Sequence, residues 1–303
     1  MSTRVPALLH GLVDDAAVFP PGSASLPDAV VGNRRHRAAW YAEMVGPLLV
    51  PASSVGALSG LLRSSERCAV GIIGDSGPRG LSDALDAADA RLDVRQVELA
   101  VAKRGEDPQP GLDQLLSIAE RWRSITAYAE IPLTFGLLGA LDRVTEARAQ
   151  GTDIAAKFRT GGLAAELFPT PIELAAVICA CRERKLPFKL TAGLHHAIRH
   201  ADPETGFVHH GFLGILAGTL AAVHADAEVA EVAELLASTD PVPLVEMARR
   251  HLDSKRPLWI GFGTCSIPEP LQDLDRLGLI ASPSGTPKHA SEAGENTTEE
   301  TAA

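Results

Sequence analysis

Eight short apolar runs recur along the chain, at residues 12–19, 47–52, 68–74, 94–101, 125–131, 154–159, 187–192 and 258–263. Between them lie longer segments, such as 80–91, 111–122, 135–150 and 171–185, in which apolar residues return every three or four positions. The short runs have the length of strands and the long ones the period of helices that bury one face. One helix start is legible residue by residue: Thr170-Pro171-Ile172-Glu173 supplies a capping hydroxyl, a proline at the first helical position and a glutamate to close the capping box. Strands separated by helices pair in parallel through right-handed crossovers. The expected fold class is therefore α/β, a (βα)8 TIM-type barrel. A doubly wound open sheet is the alternative, but no Gly-x-Gly-x-x-Gly follows a strand.

The repeat is uneven at one place. Residues 193–257, 65 in all, separate the last two runs, several times what a turn and one helix require. This span is expected to hold a long loop on the active side and a helical insertion, with helices near 212–225, 228–237 and 243–252. Residues 282–303 are rich in Ser, Thr, Gly and Glu and nearly free of bulky apolar side chains. Such a stretch buries too little surface to offset its ordering entropy, so a disordered acidic tail is expected after a single barrel domain at 1–281.

Composition excludes several functions. The net charge is −10 and aromatic residues make up 4% of the chain. That leaves neither the basic stripe nor the stacking platforms of a nucleic-acid binder. No apolar run is long enough to span a bilayer, and the N-terminus lacks the apolar core and small-residue cleavage site of a signal peptide. Cys68, Cys179, Cys181 and Cys265 form no Cys-x-x-Cys pair, which argues against a zinc site or a disulfide framework. The expectation is a reduced, cytoplasmic protein with no cofactor or metal, and a homo-oligomer is compatible with it.

Strand side chains alternate between two faces, one of which is the interior of a barrel. Sorting the runs this way puts Val97, Leu99 and Val101 toward the helices and Gln96, Glu98 and Ala100 inside. Tyr128 and Glu130 share a face. Ala155, Lys157 and Arg159 point inward, as do Lys189 and Thr191. Glu98, Glu130, Lys157, Arg159 and Lys189 thus project from otherwise apolar strands, with a summed charge of +1. Charges in such places are either mutually paired or part of a site, and these lie near the carboxyl ends of their strands, where barrel active sites are built. The surplus cation would receive a small anionic metabolite.

Two lysines on successive strands carry a sharper implication. An amine attacks a carbonyl only when unprotonated, and a second cation nearby lowers its pKa toward that state. Lys157, beside Lys189 and Arg159, has this arrangement in prospect, and Glu98 or Glu130 could relay protons.

These residues resemble a known family. Ile154-Ala-Ala-Lys157-Phe-Arg-Thr160-Gly161-Gly162 is similar to the Lys-Thr-Ser-Thr-Gly strand of the deoxyribose-phosphate aldolases. One βα unit later, Pro187-Phe-Lys189-Leu-Thr-Ala-Gly193 is similar to the strand carrying that family's second lysine. Gln96-Val-Glu98-Leu matches its acidic proton-relay strand, and Trp259-Ile-Gly-Phe-Gly263-Thr-Cys-Ser266 its last strand and phosphate loop. The resemblance covers about residues 94–193 plus the final strand. It implies a class I aldolase chemistry with Lys157 as Schiff-base nucleophile, Lys189 as its tuner and Glu98 as relay. Arg159 stands where the family has a small hydroxyl residue, and Leu194-His195-His196 follows Gly193 where it has a second glycine. The stretch Asp14-Asp15-Ala16-Ala17-Val18-Phe19-Pro20-Pro21 resembles uncharacterised bacterial proteins, which implies no function.

Other signals complete the candidate list. Gly161 and Gly162 could offer backbone N–H groups to an oxyanion, or form a plain tight turn. Gly263 and Thr191 lie at the same strand ends and join Arg159 as candidate substrate ligands. Five of the ten histidines fall within residues 195–210, and His195 or His196 is expected to face the site as acid, base or ligand. The spacing matches no zinc signature, so loop packing or capping is the plainer role for most of them. The basic run Arg34-Arg35-His36-Arg37 reads as a solvated helix face; Asp14 and Asp15 could coordinate a metal, but a turn or cap role is the plainer reading. The leading expectation is a lysine Schiff-base lyase acting on a small anionic carbonyl compound. The alternatives are a non-covalent barrel enzyme of the phosphoribosyl-transfer type, a His-dependent metal hydrolase or lyase, and a non-catalytic anion-binding barrel.

Overall fold

The computed structural model describes residues 5–283. Its strands are β1 (Val13–Asp15), β2 (Val45–Pro51), β3 (Cys68–Ile73), β4 (Leu92–Ala100), β5 (Thr126–Glu130), β6 (Ile154–Arg159), β7 (Phe188–Thr191), the short pair β8 (His200–Ala201) and β9 (Val208–His209), and β10 (Trp259–Thr264). Eight of them close into a barrel in the order β1-β2-β3-β4-β5-β6-β7-β10, every neighbouring pair parallel. Helices α1 (Leu26–Ala38), α2 (Val55–Leu61), α3 (Gly77–Asp86), α4 (Gln109–Arg121), α5 (Leu137–Ala149) and α6 (Pro171–Glu183) follow the first six barrel strands in turn. The architecture is a (βα)8 TIM-type barrel. All eight apolar runs are strands of it, and Thr170 and Glu173 make the expected capping box at the start of α6.

The long span after β7 contains a loop with the antiparallel β8–β9 hairpin, then α7 (Phe212–His224), α8 (Val229–Ala237) and α9 (Pro241–Arg249). Helix α7 is buried on nearly every side, because α8 and α9 pack over the face that the barrel does not cover. A helix apolar all round needs such a cover, which explains why this unit is longer than the others. The last helix, α10 (Pro268–Arg276), follows β10. Among the described residues no helix is long and apolar enough to cross a membrane. The expected tail at 282–303 lies outside the described residues apart from Ser282 and Pro283.

The amino-terminal end of the barrel is closed by Arg256. Its guanidinium donates to the carbonyls of Leu8, His10, Gly11, Trp259 and Ile260, tying the N-terminal segment to β10. Burial pulls its pKa down to about 10. The basic run of α1 is only partly a solvated face. Arg34 grips Glu66 through two bonds of 2.7 Å, and Arg37 donates to the Val45 carbonyl.

At the opposite end, the loops after β6 and β7 touch backbone to backbone. A Cβ on Gly161 would lie 2.9 Å from the Gly193 Cα, and Gly193 itself has a φ of +74°. Buried Thr160 fastens the same contact by donating its hydroxyl to the Ala192 carbonyl at 2.6 Å. Gly161 therefore serves a close crossing of two loops, and a Cβ on Gly162 would collide with the Leu167 side chain at 2.4 Å. Neither loop can accept a methyl group without moving. Gly161→Ala is expected to destabilise the fold by about 1–3 kcal/mol, the usual cost of overpacking, read as a lower denaturant midpoint at unchanged m-value.

Candidate active site

Each charged strand residue lands where alternation puts it, and the barrel gathers them. Lys189 on β7 is 2% exposed and Lys157 on β6 is 4% exposed, and they share one carboxylate. Lys157 Nζ stands 2.5 Å from Glu98 Oε2, and Lys189 Nζ stands 2.5 Å from Glu98 Oε1. Lys157 also pairs with Glu130 Oε2 at 2.7 Å, while Arg159 donates to Glu130 Oε1 at 3.0 and 3.1 Å. Lys189 has a second acid in Asp14. Gln96 ties the two acids together, its amide donating to Asp14 Oδ2 at 2.7 Å and to Glu98 Oε1 at 3.0 Å. The Tyr128 ring lies 4.9 Å from the Lys189 amine.

Asp14 corrects two expectations. It is not a turn or cap residue but the sixth charged member of the cluster. With it the cluster has three carboxylates and three cations, so the surplus positive charge inferred from the strand faces is absent. Alternation along β1 carried the signal, since Asp14 faces opposite to Val13 and Asp15, and Asp15 accepts from Asn33 of α1 at 2.9 Å on the outer side. Small residues make the space: a Cβ on Gly46 would sit 1.8 Å from Asp14 Oδ1, and one on Gly71 2.7 Å from Gln96 Cγ.

The electrostatics also correct the expected activation of Lys157. Burial works to lower the pKa of each lysine, but Glu130 and Glu98 overrule it at Lys157, and Asp14 and Glu98 at Lys189, so both end above 10.5. The neighbouring cation does not win, because each amine touches two acids. Glu98 shows the reciprocal effect. Burial pushes its carboxyl up, yet Lys157 and Lys189 hold it at about 2. Glu130 is likewise lowered, through Lys157 and Arg159 against burial. Asp14 is raised, because burial outweighs Lys189 there.

The cluster meets solvent at one side. Arg159 is 44% exposed and Glu130 15% exposed. Both line a cavity of about 370 Å³ at the carboxyl ends of β4–β6, with Lys103, Arg104, Glu166 and Phe168 on its other walls. That volume suits a small metabolite. Lys103, Arg104 and Glu166 carry no strand periodicity, so their place on these walls follows from loop closure alone. Thr191 and Gly263 face each other across the β7–β10 register at the mouth, outside the ion cluster.

The histidines do not join the lysines. His195 pairs with Glu269 at 2.7 Å and His196 with Asp273 at 3.2 Å, both partners on α10. His200 and His209 stack across the β8–β9 hairpin, and His210 bonds to the Pro169 carbonyl at 2.7 Å. No three His, Cys, Asp or Glu side chains are gathered as a metal centre among the described residues. Comparison with protein-family models, curated proteins and solved structures yields no match.

Glu98→Gln should test the cluster as a whole, because it removes the anion shared by two buried amines. A loss of about 3–5 kcal/mol in unfolding free energy is expected. The pH dependence has a definite sign. The raised lysines contribute stability that is complete below 10.5 and lost as pH climbs through their folded values. Lowered Glu98 contributes stability present above 4.5 and lost as pH falls toward about 2, with raised Asp14 opposing it. Denaturant titrations across pH should therefore show a wild-type plateau falling away at both ends, and a smaller alkaline fall in Glu98→Gln.

Proposed function

We propose that this barrel is a carbon–carbon lyase of the class I aldolase type, acting through Lys157 on a small anionic carbonyl compound. The observation that carries the reading is the placing of Lys157 between two carboxylates, one of which, Glu130, lines the cavity beside Arg159. The resting amine is protonated, so it must first hand a proton to Glu130, the carboxylate that lines the cavity. The free amine then adds to the carbonyl carbon, and the carbinolamine loses water to give a protonated imine. Glu130 takes the proton of a hydroxyl on the β carbon while the imine draws the electron pair of the α–β carbon–carbon bond, which breaks and releases a carbonyl fragment. The same carboxyl returns that proton to the enamine carbon, and water hydrolyses the imine to free Lys157. Lys189 holds Glu98 in place and in its ionised form. Arg159, the most exposed cation of the cluster, is suited to the anionic group of the substrate. The four free cysteines fit a reducing, cytoplasmic setting.

A specific observation favours a second reading. Both amines are almost wholly enclosed and fully paired, as in a structural ion network that specifies the barrel interior without chemistry. One experiment separates the two. Borohydride added with a panel of small aldehydes and ketones should leave a reduced adduct on the Lys157 peptide, detected by mass spectrometry. Lys157→Arg keeps the charge but not the nucleophile and should give no adduct. Wild-type protein that traps no carbonyl at all, at any pH up to 10, would leave the structural network as the surviving reading.

A further inference from the structure

The end of β10 holds a second constellation, separate from the lysines. Cys265 Sγ lies 3.9 Å from His195 Nε2, and His195 Nδ1 lies 2.7 Å from Glu269 Oε2. With its Nδ1–H given to Glu269, the ring turns its other nitrogen to the sulfur. This is the order of groups that activates a thiol: nucleophile, proton partner, and an acid that orients the partner. The elements come from three places, the loop after β7, the segment following β10 and the first turn of α10, so no local sequence pattern announces them.

Three features set Cys265 apart. It is partly exposed, whereas Cys68, Cys179 and Cys181 are buried. Burial pushes those three thiols up, that of Cys181 to about 12, away from the reactive thiolate form. Burial works against a charged His195, but its hydrogen bonds to Cys265 and Glu269 overrule this and push its pKa up to about 9. An imidazolium beside a sulfur is the setting in which thiolates react. Access is narrow as well. Gly22 lies against the side chain, so that a Cβ on it would come within 3.3 Å of Sγ and 2.8 Å of Cβ. So close a neighbour admits a small reagent more readily than a bulky one.

We propose that Cys265, with His195 and Glu269, is a nucleophilic thiol site whose co-reactant is a small peroxide. The sulfur attacks one peroxide oxygen, and the O–O bond breaks. Sulfur is oxidised by two electrons to the sulfenic acid, and the departing oxygen takes the His195 proton and leaves as water or an alcohol. The site does not depend on the lysine chemistry, and its test does not read carbonyl trapping.

The intact chain, treated with hydrogen peroxide and a sulfenic-acid-trapping dione, should carry the label on the Cys265 peptide at least ten times more than on any other cysteine. Iodoacetamide should alkylate Cys265 with the same preference. His195→Gln should slow both reactions tenfold or more, and Glu269→Gln should slow them by a smaller factor, with the circular dichroism spectrum confirming the fold of each variant. Equal rates in wild type and His195→Gln would overturn the proposal, as would labelling of Cys265 no faster than the three buried thiols.

Discussion

The Glu98 carboxylate is the interaction on which the barrel interior depends. Each of its oxygens meets the amine of a different lysine, 2.5 Å away, and the two lysines come from adjacent strands at matched register. An ion of this kind held without partners would cost several kcal/mol, and removing it would leave each lysine with one acid, Glu130 or Asp14, instead of two. Once β1, β4, β5, β6 and β7 are in register the charges satisfy one another, and a one-residue slip of any of these strands would turn its charges toward the helices. Such a network penalises wrong registers more than it stabilises the right one.

The same constraint decides what the neighbouring strands can carry. Asp14 and Gln96 need room inside the barrel, and they find it where β2 and β3 present Gly46 and Gly71 instead of branched side chains. The two ends of the barrel then differ in kind. At the amino-terminal end, Arg256 is held by backbone carbonyls, a closure that positions the chain and leaves nothing reactive. At the carboxyl end the polar groups are titratable side chains whose partners extend through Glu130 and Arg159 to a cavity. The lysine reading rests on the second arrangement, where titratable groups stand next to one another and two of them line the cavity.

Much of this was readable in the sequence, and the boundary has a physical cause. Periodicity located all eight strands and the three helices of the long insertion, since burial of one face leaves a mark at every second or every fourth residue. Alternation also placed Glu98, Glu130, Lys157 and Lys189 on the inner face. What it could not supply was pairing across distant strands. Asp14 lies 175 residues from Lys189, and nothing local to either shows that they meet. The error about the lysine pKa followed from that gap: without Asp14 the cluster looked positive, and a positive cluster lowers an amine's pKa where a balanced one raises it. The meeting of Cys265, His195 and Glu269 is hidden for the same reason, as is that of Lys103, Arg104 and Glu166, which reach the cavity from loops with no period to read.

Charge balance bears on how a substrate would be held under the lysine reading. A cluster of three carboxylates and three cations has no net pull on an approaching anion, so Lys157 and Lys189 cannot be what attracts it. The cavity walls are the more favourable place. Their acids are Glu130, Glu166 and Glu173, of which Glu130 is already engaged by Lys157 and Arg159, and Glu173 by the Thr170 cap of α6. Arg104 spends one N–H on the Glu166 backbone carbonyl, and Lys103 stands on the same wall. Under that reading an anionic group would meet Lys103, Arg104 and Arg159 on these walls, with Glu166 beside them. Binding and bond-making would then rest on different residues, and the neutral interior could stay tightly paired until a carbonyl draws the proton off Lys157.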